Sequence, residues 1–139
     1  MSEQTTSEAT GETQDAAVVV SRLVSHPLKS VWKVVMTDDG NEALLGPGAR
    51  LGDKGHTWHA ADGTTGVTRS FHPLEQIRFS WHKDDASPST IVDLHFSAVS
   101  DHETQLELVH DHLSGDIDRE WLAAHWSDAL ERIDHDALD

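Results

Sequence analysis

The side chains with most chemical potential in this chain are one histidine, one arginine and a set of tryptophans. His110 ends an alternating row, Thr104, Leu106 and Leu108, where another aliphatic residue is expected. An imidazole among inward-pointing apolar side chains needs a hydrogen-bond partner or a ligand. Titrating near neutrality, it could serve as a general acid or base; satisfied by a neighbour, it is a structural histidine. Arg69 could orient an anionic ligand group if it points inward, or balance nearby acids if it points outward. The chain holds five tryptophans, Trp32, Trp58, Trp81, Trp121 and Trp126, and no tyrosine. Broad rings can stack on flat or greasy molecules, although an aromatic on an apolar stripe more often fills a core. The ligand-stacking role is strongest for Trp81, placed mid-strand and facing the last helix.

Other chemistries find less support. The 11 histidines include His56-x-x-His59 and the pair His110 and His112, read as sharing a strand face. Neither spacing is a zinc signature, and without cysteine no ligand set is completed, so no metal site is expected. There is no Gly-x-Ser-x-Gly elbow, phosphate loop or dinucleotide fingerprint, and no cofactor is implied. An enzymatic reading therefore rests on His110 almost alone.

Composition narrows the partners. A formal charge of −15, from 10 basic and 25 acidic residues in 139, repels phosphate backbones and anionic lipid surfaces at long range. Nucleic acid and membrane insertion are not expected, and no apolar run approaches the roughly 18 residues of a membrane span. The Met-Ser-Glu-Gln start lacks the basic and apolar regions of a signal peptide, which gives a cytoplasmic expectation. Residues 1–16 are polar, acidic and without periodicity, and read as a disordered tail. Residues 17–136 read as a single domain large enough for a real core.

The elements that must position these side chains follow from periodicity. Residues 17–24 are almost continuously apolar and read as a strand. In residues 27–36, Pro27 suits a first helical turn, and Leu28, Val31, Trp32 and Val35 recur at helical spacing. Thr37, Asp38, Asp39, Gly40 and Asn41 are read as ending that helix, with a second short helical turn at residues 42–45. Asp62-Gly63 favours a hairpin between strands at residues 56–60 and 66–71. In residues 76–83, Ile77, Phe79 and Trp81 alternate with polar neighbours. Val92, Leu94, Phe96 and Ala98, and then Thr104, Leu106, Leu108 and His110, continue the pattern, as expected of an antiparallel sheet with one wet face. Residues 118–133 form an amphipathic helix with Leu122, Trp126, Ala129, Leu130 and Ile133 on its stripe, preceded by Asp116 and Asp118 at the positive end of its dipole. A lone helix after a long meander has one good place to bury that stripe, the hollow of the bent sheet.

Val31-Trp32, Leu45-Gly46-Pro47-Gly48, Asp62-Gly63-x-x-Gly66-Val67, His72-Pro73, Phe79-Ser80-Trp81, Leu108-Val109-His110 and His125-Trp126, in this order, resemble the START/SRPBCC superfamily. Within it the chain looks like the bacterial branch homologous to the activator of the heat-shock-protein-90 ATPase, though Leu44-Leu45 stands where that branch often has a Trp. The resemblance implies an α+β helix-grip fold: a curved antiparallel sheet of about six strands wrapped around a long C-terminal helix, with two short helices after the first strand. It implies an activity less closely, since lipid carriers, polyketide cyclases and co-chaperones share the fold.

The resulting expectation is a domain that encloses a hydrophobic or aromatic, lipid-like small molecule between sheet and helix. Its candidate ligand-binding residues are Trp32, Trp58, Arg69, Phe79, Trp81, Leu108, His110, Leu122 and Trp126. The alternatives are a cyclase- or dehydratase-like enzyme using His110 as acid and base in the same cavity, and a co-chaperone-like module with a protein partner.

Overall fold

The computed structural model describes residues 17–84, 86–113 and 117–137; the tail expected at residues 1–16 and the acidic residue Asp116 lie outside them. The element order is β1 (Val18–Val24), α1 (Leu28–Val35), α2 (Asp38–Leu45), β2 (Thr57–His59), β3 (Thr65–His72), β4 (Gln76–Trp81), β5 (Thr90–Ser100), β6 (Glu103–Asp111) and α3 (Arg119–Arg132), closed by a π-helical turn, Ile133–Ala137. The architecture is α+β: six antiparallel strands in the order β1-β6-β5-β4-β3-β2 form one curved sheet, with the C-terminal helix against it. The two short helices after the first strand are present, and no helix of the described residues is long and apolar enough to cross a membrane.

Period-two alternation sets which side of the sheet is dry. On β6, Thr104, Leu106, Leu108 and His110 are all fully buried, as their spacing predicts, while Glu107 is exposed. Cross-strand register then carries these rows across the sheet: Val20 pairs with Leu108, Leu108 with Leu94, and Leu94 with Ile77. The neighbouring row runs Val18, His110, Val92, Phe79, Thr68, so His110 is one of five buried residues in a row across the sheet. Alternation fails at the far end of β5, where Ala98, expected inside, is exposed. There the ladder slips between Ala98 and Ser100, and the strand end overhangs the core.

The helices also differ from the sequence reading in one place. Thr37 to Asn41 do not merely end α1; Thr37 caps α2, its hydroxyl accepting from Gly40 N–H, with Asp38 and Asp39 in the first turn. A hydroxyl cap followed by acids suits the positive helix end, which makes this segment a start signal as much as a stop. Gly40 is required because a Cβ would collide with the backbone of Val34 and Val35. Helix α3 begins at the cap Asp118, whose carboxylate accepts from Trp121 N–H, and buries Leu122, Trp126, Ala129 and Leu130. Arg132 Nε donates to Ala43 O and ties the helix to α2. Each fully buried large side chain on this stripe contributes roughly 1.5–3 kcal/mol of desolvation, enough to hold an otherwise polar helix in place.

Candidate functional site

The space between α3 and the sheet is occupied by side chains. Phe79 and Trp81 rise from β4, Trp58 from β2, His110 from β6 and Trp126 from α3, and none is more than 1% exposed. Their rings form a connected set: Trp58 to Phe79 at 5.9 Å, Phe79 to Trp126 at 6.1 Å, Trp126 to Trp81 at 6.0 Å and Trp81 to His110 at 5.0 Å between centroids. Most meet edge to face, the arrangement favoured by aromatic quadrupoles.

His110 is held at both nitrogens. Trp126 Nε1 donates to His110 Nδ1 at 2.9 Å. Because an indole nitrogen only donates, Nδ1 must carry the lone pair and Nε2 the proton. Nε2 then donates to Thr90 Oγ1 at 2.6 Å, and the Thr90 hydroxyl donates in turn to Trp81 O at 2.7 Å. Thr90 reaches the ring because it shares a face of β5 with Val92, the register partner of His110. Burial pushes the His110 pKa down from 6.5 to about 4, with His125 acting in the same direction and Asp111 against it. The ring is neutral, oriented, and without a nitrogen open to a substrate proton.

The aromatic set continues outward along α3. His125, one turn from Trp121, stacks on it at 4.9 Å with ring planes 13° apart, and lies 4.8 Å from Trp126 and 6.0 Å from Trp81. Burial lowers the His125 pKa and Arg132 adds to this, while Asp62 and Asp128 oppose it. Trp121 is 43% exposed, and Lys83 Nζ lies 5.2 Å from its ring centroid, in cation–π range. Between the β4–β5 connection and the start of α3 an open cleft of about 270 Å³ is lined by Trp81, Lys83, Ser87, Pro88, Thr90, Ile117 and Asp118. A smaller one of about 110 Å³ adjoins it through Trp81, Lys83, Ile117 and Asp118 and adds Trp121 and Leu122.

Of the residues singled out from sequence, Phe79, Trp81, His110 and Trp126 meet in the core, Trp58 joins them through Phe79, and Leu122 borders the cleft. Leu108 is buried one row further along the sheet. Trp32 lies apart, half-buried and packed on Phe96 at 5.0 Å. Arg69 is exposed beside a register shift between Thr68 and Ser70, and takes the outward course. His110 and His112 do not share a face: His112 lies beyond β6, exposed, with φ of 60°. Lys83, Thr90, Ile117, Trp121 and His125 were not among the expected site residues. The four-residue spacing of Trp121 and His125 on one helical face was the available signal.

No family model and no curated protein sequence matches the chain. Solved structures do. CalU16 from Micromonospora echinospora is similar at 20% identity and TM-score 0.71, over 85% of this chain and 71% of that one. The Aha1 dimer from Colwellia psychrerythraea is similar at 13% identity and TM-score 0.71, over 88% and 96%. PFC0360w, an HSP90 activator from Plasmodium falciparum, is similar at 16% identity and TM-score 0.68, over 85% and 93%. An antiparallel meander of β2 to β6, extended by β1 beside β6 and packed on a C-terminal helix, is matched along most of its length to these structures, and the chain shares their helix-grip fold.

Proposed function

We propose that the protein is a small-molecule binding domain whose ligand, an apolar or aromatic compound, seats in the cleft at the open end of the sheet–helix grip. One observation carries this reading: an unbroken set of aromatic contacts leads from the core to a half-exposed Trp121 at the rim of a cleft walled by both sheet and helix residues. An exposed tryptophan beside Ile117 and Leu122 offers a flat apolar surface that water covers at a cost, and a ring laid on it removes that cost. At about 270 Å³ the cleft sits just below the range of roughly 300–1,000 Å³ usual for ligand pockets, which suits a compound of one or two rings.

The filled interior shifts the ligand outward from the fully enclosed position that the sequence suggests. His110, engaged at both nitrogens, supports a role in orienting Trp126 and Trp81, and the binding reading is favoured over one that needs a free base. The test is a titration with 2-acetylnaphthalene followed by the indole N–H signals of the five tryptophans in heteronuclear NMR. Trp81 and Trp121 should move together and saturate, with Trp32 and Trp58 still. Absence of saturable shifts, or shifts centred on Trp32, overturns the proposal.

A further inference from the structure

Two indole N–H groups, those of Trp58 and Trp81, are buried with no hydrogen-bond partner. Buried donors are rarely left so, because each one unmet costs about 1–3 kcal/mol relative to its hydrated state. Their surroundings differ. Trp58 packs against Phe79 and the backbone near Gly66, and borders neither lobe of the cleft. Trp81 lines both lobes.

The other polar groups at the cleft are already engaged. Thr90 Oγ1 serves His110 and Trp81 O, Ser87 Oγ donates to Asp84 Oδ1, and Asp118 Oδ1 caps α3. The unpartnered groups nearest the cleft are therefore the Trp81 indole N–H, buried on a residue that lines it, and His125 Nε2, buried on the ring stacked against Trp121, together with the Lys83 ammonium. The charge around them is balanced against a full anion: Asp84 adjoins Lys83 in sequence and feels its charge, Asp118 lines the same cleft, and the whole chain carries −15.

We infer that the ligand of this cleft is an aromatic compound bearing a neutral carbonyl-type acceptor, which takes the Trp81 indole N–H while its ring lies against Trp121. The inference rests on the binding reading above and adds the acceptor to it. Such a group satisfies a donor that the protein leaves unmet, so its contribution is larger than that of a hydrogen bond exchanged evenly with water. A site with a buried donor discriminates against an analogue lacking the acceptor for the same reason.

The experiment compares 2-acetylnaphthalene with 2-ethylnaphthalene, which has the same rings and nearly the same bulk without the carbonyl, and with 2-naphthoate. The acetyl compound should bind about tenfold more tightly than the ethyl compound and move the Trp81 indole proton downfield. In a Trp81→Phe variant, which keeps a ring and removes the donor, the two should bind alike. Equal affinities in the unmodified protein, with both compounds perturbing Trp121, overturn the acceptor inference and leave the binding reading standing. Failure of all three compounds to bind overturns the binding reading itself. Tighter binding of 2-naphthoate than of the acetyl compound overturns the assignment of a neutral acceptor.

Discussion

Trp126 Nε1 donates to His110 Nδ1, and this one contact decides the protonation pattern of a four-residue chain. A helix side chain thereby fixes the tautomer of a strand histidine, and the histidine in turn fixes the hydroxyl of Thr90 against the backbone of Trp81. The sheet and the helix are joined by directional bonds as well as by apolar packing. That matters for the cleft, because the backbone of Trp81, one of its walls, is held by Thr90.

Thr90→Val keeps the shape of the side chain and removes its hydroxyl. His110 Nε2–H then loses its acceptor and cannot recover it by turning over, since Trp126 N–H faces the other nitrogen. Stability should fall by about 1–3 kcal/mol, read as a lower denaturation midpoint with unchanged denaturant slope. An unchanged midpoint would show that the hydroxyl contributes nothing to the chain described above.

Acid should weaken the fold through His110. Its folded pKa is about 4, below the unfolded value of 6.5, so between these the unfolded chain binds the extra proton. Stability contributed by the neutral ring is thus fully present above pH 6.5 and is lost as pH falls through 4, for a total on the order of 3 kcal/mol. His125, also lowered, acts in the same direction. Neutralising carboxylates relieves the −15 charge over the same range and works the other way, so the comparison must be differential. A His110→Gln variant should lose stability less steeply than the unmodified protein from pH 6.5 to 4. Parallel curves from urea titrations would show that His110 does not titrate differently on unfolding.

Strands β4 to β6 and helix α3 were legible because each carries a one-sided apolar row, and a buried face imposes its period on the sequence. His110 was legible as an exception to such a row. Its partners were not: Thr90 is 20 positions away, and only the register of β5 on β6 brings them together. Both courses of Arg69 were open in the sequence, and the structure leaves it exposed beside the slip between Thr68 and Ser70. Whether the hollow is open or filled depends on ring volumes set against sheet curvature, and neither is encoded in a pattern of polar and apolar letters. Nothing in the sequence sets Trp121 apart from the other tryptophans, because one exposed tryptophan at a helix start looks the same whether or not a cleft lies beside it.

Gly66→Ala should be strongly destabilising although the added group is only a methyl. A Cβ at this position would run into Ser80 O and lie 2.7 Å from Trp58 Cζ2. Glycine is needed here for close approach of β3 to β4, since its φ is not in the left-handed region. The indole is buried and packed edge-on against Phe79, so overpacking should cost about 1–3 kcal/mol or more, seen as a lower melting temperature. The Trp58 indole N–H signal should shift most. A variant as stable as the parent would mean that β3 and β4 can separate freely at this point.

Asn41 offers the corresponding test away from the cleft. Its carboxamide is buried on α2, where Nδ2 donates to Val35 O at 2.8 Å and Oδ1 accepts from Leu51 N–H at 2.7 Å. One side chain thus satisfies the C-terminal end of α1 and the loop that follows α2, neither of which has a regular ladder to supply a partner. Asn41→Ala leaves both backbone groups buried and unmet, and should cost about 2–4 kcal/mol. Asn41→Asp keeps the acceptor for Leu51 N–H but sets a carboxylate against Val35 O, so it should also destabilise, and most above the carboxyl pKa. Amide exchange at Leu51 separates the two variants: protection should collapse in Asn41→Ala and persist in Asn41→Asp at low pH. Retained protection in the alanine variant would show that another group holds the loop.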